Sequence, residues 1–305
     1  MEEMDIETDE LISFDSPTEI VTNSSETKEE IILPSLSEGG LFTRSYTYIS
    51  AKATNLTKDD QENQPCILGV DEAGRGPVLG PMVYGVCYCP LSEKDNIKEL
   101  GFADSKTLNE VTRESLIKVI MSRSDIFGWA VRVLTPQEIS ANMLKRNKYN
   151  LNAQAHDTTI NLIRDIYVDA VGPSKTYQAK LQRLFQGIEI TVANKADSTF
   201  PIVSAASICA KVTRDHVIKK WEFEEMRLKG EVSREFGSGY PSDPNTVNWL
   251  RSNVDPVFGF PRILRFSWPD DEDSQVPMKR MFGQDANEKR SRLFESMGLR
   301  RVADF

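Results

Sequence analysis

Residues 69–81 read GVDEAGRGPVLGP. The apolar run CILGV leads into two adjacent carboxylates, Asp71 and Glu72. Gly74-Arg75-Gly76 follows, then a turn punctuated by Pro77, Gly80 and Pro81. Carboxylates at the end of a buried strand are costly unless protonated, paired or bound to a cation. Glycines beside them let another backbone come close. The combination points to a metal site facing a polymeric or phosphorylated substrate.

Composition narrows the classes around that stretch. The chain has 305 residues, enough for a sizeable core and for one to two domains. It contains no apolar run of about eighteen residues, so no membrane span is expected. The start, MEEMDIETDE, lacks the basic and apolar regions of a secretory signal. Cys66, Cys87, Cys89 and Cys209 lack C-x-x-C spacing and read as reduced core residues of an intracellular protein. With two histidines in all, His156 and His216, a zinc site is not expected.

The net charge of −9 is unevenly spread. Residues 1–64 carry 15 Asp and Glu against 4 Lys and Arg, whereas residues 65–305 are nearly neutral. We read residues 1–64 as an acidic, disordered leader, 65–268 as the catalytic domain with C-terminal helices, and 269–305 as a polar tail with a helical, basic, partner-binding appendage.

Between these limits the pattern alternates. CILGVDE (66–72) and MVYGVCYC (82–89) read as strands joined too closely for a helical crossover, hence as a hairpin. Thr107-x-x-Glu110 reads as a capping box for a helix to about Arg123. FGWAVRVL (127–134) reads as a strand, and Thr135-Pro136-x-Glu138 as a helix start. Helices are expected over 150–163, 174–186 and 201–222, and strands at IYVDAVG (166–172) and IEITVA (188–193). The order predicts a mixed α/β sheet with helices on its faces.

Three sheet-associated places then carry acids: Asp71 with Glu72, Asp169 in IYVDAVG, and Asp197 in NKADSTFP. Strand ends along one edge of an α/β sheet are where ligands collect. Converging carboxylates without Cys or His favour Mg2+ or Mn2+. Two such ions about 3.5–4 Å apart suit phosphodiester hydrolysis. A lone Asp at a strand end more often closes a turn or caps a helix, and for Asp197 both readings stand. Lys106, in ADSKTL, reads either as a phosphate contact or as an exposed residue at a helix start. Arg214-Asp215 reads as a structural ion pair or surface charge, and His156 as a packing or capping residue. The G-x-G start of a dinucleotide fingerprint must open a helix, and here prolines and a strand follow it.

The segments GVDEAGRGPVLGPMVYGVCYCP, ADSKTL, YNLNAQAHDTT, YVDAVGP, KADSTFPIVSAASICAKVTRD, GSGYPSDP and RFSW, in this order, resemble the catalytic (A) chain of eukaryotic type 2 ribonuclease H. The resemblance covers about residues 65–268. It implies a ribonuclease-H-like fold with a mixed five-stranded sheet, helices on both faces and a helical C-terminal extension. It implies hydrolysis of RNA in RNA–DNA hybrids and incision 5′ of single ribonucleotides in duplex DNA. It also implies two non-catalytic partner subunits, B and C, and nuclear residence. Asp71, Glu72, Asp169 and Asp197 match the family's metal-binding acids. Gly74, Arg75 and Gly76 match the loop that senses the ribose 2′-hydroxyl, the group that separates RNA from DNA. Tyr240 matches the tyrosine near the RNA–DNA junction; alone, it reads as a buried tyrosine with a hydroxyl partner. The 13 positions from His156 to Asp169 are fewer than the family provides for a helix end, a loop and a strand. That shortening keeps a second reading open, a non-catalytic hybrid-binding or scaffold subunit.

Overall fold

The computed structural model describes residues 31–36, 42–56, 65–102, 108–147, 149–166, 174–185, 189–225, 232–255 and 259–266. Leu33–Phe305 cluster as one unit and Met1–Ile32 as another.

The centre is an antiparallel sheet. Strands β1 (Tyr46–Ile49), β2 (Cys66–Ala73), β3 (Met82–Pro90) and β4 (Gly128–Leu134) lie in the order β1-β4-β3-β2. The 66–72 and 82–89 runs do form a hairpin, with Asp71 opposite Gly85 and Glu72 opposite Tyr84. β3 is buried along almost its whole length because it lies between two strands and under helices. Cys87, Cys89 and Cys209 are buried as expected, but Cys66 is exposed, since it opens β2 at the free end of the hairpin.

Two sequence expectations need correction here. Residues 42–56 do not belong to a structureless leader. Phe42 sits in a hydrophobic cluster with Trp221 and Leu250, and Tyr46–Ile49 pairs antiparallel with β4. Four residues of alternating half-buried and exposed side chains give little sequence signal; the ladder with β4 makes the strand. Among the described residues the sheet has four antiparallel strands. Residues 189–193 have no ladder, although Ile190 is buried. A strand needs a hydrogen-bonded neighbour, and the expected strand around Asp169 falls outside the described residues from 167 on.

Helices α1 (Asn96–Glu99), α2 (Glu110–Ser122), α3 (Pro136–Met143), α4 (Leu151–Ile166), α5 (Ser174–Leu184), α6 (Ala196–Thr199), α7 (Pro201–Lys219) and α8 (Pro244–Ser252) surround the sheet. α3 starts as predicted, with Thr135 accepting from the Glu138 amide and Pro136 in the first turn. α2 starts differently. Its cap is Asn109, whose Oδ1 accepts from the Thr112 amide at 2.8 Å and from its hydroxyl at 2.9 Å. The residue directly before the helix is best placed to reach its third amide, and Thr107 lies outside the described residues. Asn109→Ala is expected to lower stability by about 1 kcal/mol, read from urea unfolding.

Strand alternation sends neighbouring residues to opposite faces. On one face Val70, Tyr84, Val86 and Ala130 pack with Leu151, Ala155 and Ile163 of α4. On the other, Gly69 and Gly85 meet the backbone of α7. Helices therefore cover both faces, as expected. A second cluster joins Val78 and Leu79, after the glycine loop, to Trp249 and Leu250 of α8 and to Ile263 and Leu264. A Leu79–Leu264 β-bridge ties the same two segments.

Candidate active site

Missing side chains on β2 and β3 set the geometry. A Cβ on Gly69 would stand 2.5 Å from the Ile202 carbonyl oxygen. One on Gly85 would stand 2.4 Å from that of Ala206. The α7 backbone therefore rests on the strands themselves. Ser207, fully buried, reaches Asp71 with a hydrogen bond, and Lys211 follows one turn later. Burial pushes the Asp71 carboxyl above its usual range. The Ser207 hydroxyl and the Glu72 amide pull it back, the charge of Asp197 pushes it up again, and Lys211 opposes that.

Asp197 comes from α6, in its first turn. Lys195 caps that short helix with φ 55°, the one left-handed non-glycine residue among the described residues. The turn buries Asp197 to 7 % exposure, and its Oδ2 has no hydrogen-bond partner among the described residues. A buried carboxylate oxygen left open, beside a second carboxylate whose ionisation it opposes, calls for a cation. These oxygen donors fit a hard divalent ion such as Mg2+ or Mn2+. Two carboxylates are not a complete set, and the described residues contain no group of three or more His, Cys, Asp or Glu suited to a metal. Asp169 and Lys106 lie outside the described residues.

Glu72 follows Asp71 near the end of β2, opposite Tyr84 of β3. Its Oε1 is 3.9 Å from Arg75 Nη1. Arg75 also donates to Asn152 Oδ1 at the start of α4, so its side chain is tied between β2 and α4. His156 lies one turn further along α4 and is half-buried.

The glycine loop meets Tyr240 directly. A Cβ on Gly76 would fall 2.6 Å from Tyr240 Cε1, so the phenol ring lies against the Gly76 α-carbon. Tyr240 is 47 % exposed rather than the buried tyrosine its sequence alone suggests. The Val78 amide donates to Gly239 O at 2.8 Å, and the Gly239 amide donates to Thr246 Oγ1 at 2.9 Å, which fixes the tyrosine's loop to the glycine loop and to α8.

Two arginines hold the glycine loop, Arg265, which carries no local sequence signal, and Arg214, which reads from sequence as an ion pair or surface charge. Arg265, in the RFSW segment, is 1 % exposed and donates to the carbonyls of Gly74, Arg75 and Gly80. Burial, and then the neighbouring Arg214, push its guanidinium down to about 9, so it stays charged at neutral pH. Arg214 donates to the carbonyls of Leu79 and Pro81. It lies 4.0 Å from Asp215 Oδ1, so the expected ion pair is the lesser part of its role. Arginines are rarely buried outright, and composition rules read them as surface. The available signal was their place inside segments of the family resemblance.

The Ribonuclease HII family model matches residues 68–270, which take in most of β2, all of β3 and β4, the glycine loop, α7 and the tyrosine loop. The chain belongs to the ribonuclease HII family. It is 54 % identical over 215 residues to the ribonuclease H2 A-subunit of Bos taurus, covering 67 % of this chain and 71 % of that one. It is 44 % identical over 290 residues to the ribonuclease H2 A-subunit of Schizosaccharomyces pombe, covering 86 % and 85 %. Its fold is similar to the crystal structure of ribonuclease H2 from Pyrococcus horikoshii, with a TM-score of 0.55 at 33 % identity, over 67 % of this chain and 94 % of that one. A ribonuclease-H-like fold and a ribonuclease H enzyme are thus established for this ribonuclease HII chain. The dinucleotide alternative falls as well, since the glycine loop runs into β3 and opens no helix.

Proposed function

We propose that this ribonuclease HII chain is a catalytic A-type subunit that hydrolyses the RNA strand of RNA–DNA hybrids and nicks duplex DNA 5′ of single ribonucleotides. The observation that carries this reading is the contact between the Tyr240 ring and Gly76, in the loop that directly follows the half-buried Asp71, whose carboxyl feels the charge of the buried Asp197. It joins a reader of the sugar to a place for hydrolysis.

Asp71 and Asp197, with Asp169 and Glu72, would hold Mg2+ or Mn2+. When bound, such ions supply an activated water and charge stabilisation at the phosphodiester. The remaining tasks fall to side chains. Gly74, Arg75 and Gly76 bring backbone close to the ribose, where the 2′-hydroxyl is the distinguishing donor and acceptor. The exposed Tyr240 ring offers a face for the next sugar, too close to its neighbours to admit a second hydroxyl. Arg75, tethered by Asn152 and Glu72, keeps that loop in register with the acids. Lys211 offsets the negative charge around Asp71. Lys106 would contact a phosphate. The likeness to ribonuclease H2 A-subunits supports assembly with two non-catalytic subunits, B and C, and nuclear residence.

The test is cleavage of a duplex carrying one ribonucleotide, by the full chain with its partner subunits in Mg2+. A nick on the 5′ side, leaving a 5′-phosphate on the ribonucleotide, is expected. Tyr240→Ala is expected to lower kcat/KM on that substrate by about 10- to 100-fold, the loss of one stacking contact of about 1–3 kcal/mol. Its effect on a continuous RNA–DNA hybrid is expected to be smaller. Binding of hybrid in Mg2+ without product, with all subunits supplied, would mean a scaffold instead.

A further inference from the structure

The loop that faces the sugar has an unusual backing. Behind Gly74, Arg75 and Gly80 stands the buried Arg265 guanidinium, with Nη2 2.6 Å from Gly74 O, Nη1 3.3 Å from Arg75 O and Nε 2.9 Å from Gly80 O. Arg214 adds Nε 3.2 Å from Pro81 O and Nη2 3.3 Å from Leu79 O. Five carbonyls of one short loop are thus turned inward onto two cations. The arrangement also explains the glycines. Gly74 and Gly80 have φ 79° and 81°, and a Cβ on Gly74 would lie 2.1 Å from Arg214 Nε.

A trans peptide holds its N–H opposite its C=O, and the described residues contain no cis bond. With the Gly74 and Arg75 carbonyls drawn onto Arg265, the N–H groups of Arg75 and Gly76 must point away from the buried guanidinium. Hydrogen bonds to a cation also polarise each peptide and strengthen the donor at its far end. We propose that Arg265, assisted by Arg214, is a positioning residue for sugar discrimination: it orients and polarises the Arg75 and Gly76 amides so that they are presented as donors to the ribose 2′-oxygen. The proposal deepens the reading of Gly74–Gly76 as the sugar-sensing loop and rests on it.

A lysine at 265 keeps the charge but not the planar fork that spans three carbonyls. The deciding measurement is equilibrium binding by the full chain with its partner subunits, in an Asp71→Asn background in which cleavage is off. Two duplexes of one sequence are compared, with and without a single ribonucleotide. The parent is expected to prefer the ribonucleotide duplex by about tenfold, the worth of one well-made hydrogen bond. Arg265→Lys is expected to bring the ratio of the two Kd values close to one while the all-DNA Kd changes less than about twofold. A merely structural role would weaken both duplexes together, and that result, or an unchanged ratio in a folded variant, overturns the proposal. If Arg265→Lys does not fold, Arg214→Lys is judged by the same ratio, expected to fall part of the way. A parent with no preference would instead overturn the reading of the loop itself.

Discussion

Asp71→Asn is expected to reduce nicking of a ribonucleotide-containing duplex by about a thousandfold or more, since ion-assisted charge stabilisation contributes several kcal/mol. The same change is expected to raise the melting temperature of the metal-free protein at pH 7. Burial lifts the folded-state pKa of Asp71 above its unfolded value of about 3.9. Over the window from that value up to the raised one, the folded protein holds more protons than the unfolded chain. Stability therefore falls as pH rises through that window. Asparagine carries no charge to desolvate, so the variant escapes this loss. Adding Mg2+ is expected to stabilise the parent against heat and to stabilise the variant much less. Full activity in Asp71→Asn, or equal thermal shifts with Mg2+, would count against a cation at Asp71 and Asp197.

Gly85→Ala is expected to cost about 3 kcal/mol, at the upper end for overpacking, and to lower the melting temperature by about 6–12 °C in a domain of this size. The added carbon would sit 2.4 Å from the Ala206 carbonyl oxygen and 2.9 Å from the Ala210 nitrogen. Both are backbone atoms in the middle of α7, so no rotamer change relieves the contact. The helix must lift from the sheet. Since Ser207 and Lys211 are on that helix, Asp71 is expected to lose its hydrogen bond and its nearby cation together, so residual activity should fall more than stability alone explains. A normal melting temperature in Gly85→Ala would show that α7 does not rest on β3 as described.

The hairpin was legible because CILGVDE and MVYGVCYC carry strand formers around a spacer too short for anything else. The start of α3 was legible because Thr135, Pro136 and Glu138 occupy positions with local chemistry of their own. Asp71 and the glycine loop stood out as an acid and glycines where a strand ends, and Asp197 as an acid just before a long helix. β1 was not legible, because Tyr46–Ile49 has weak periodicity and owes its strand to hydrogen bonds from β4. The Asn109 cap lost to a better-known pattern two residues away. Arg265 was invisible because no local rule announces a buried guanidinium; its partners lie almost two hundred residues earlier in the chain.

By itself, then, the amino-acid order determined the hairpin, the main helices, and the acidic and glycine residues on which hydrolysis of a nucleic acid would depend. Those features arise from neighbours in the chain, whose spacing sets strand alternation, caps and turns. Tertiary structure alone decided that Asp197 faces Asp71, that Tyr240 lies on Gly76, and that Arg265 and Arg214 hold the loop between them. Each of these joins segments far apart in sequence. Such contacts exist only once burial of the apolar faces has brought the segments together, and local patterns carry no record of the partner.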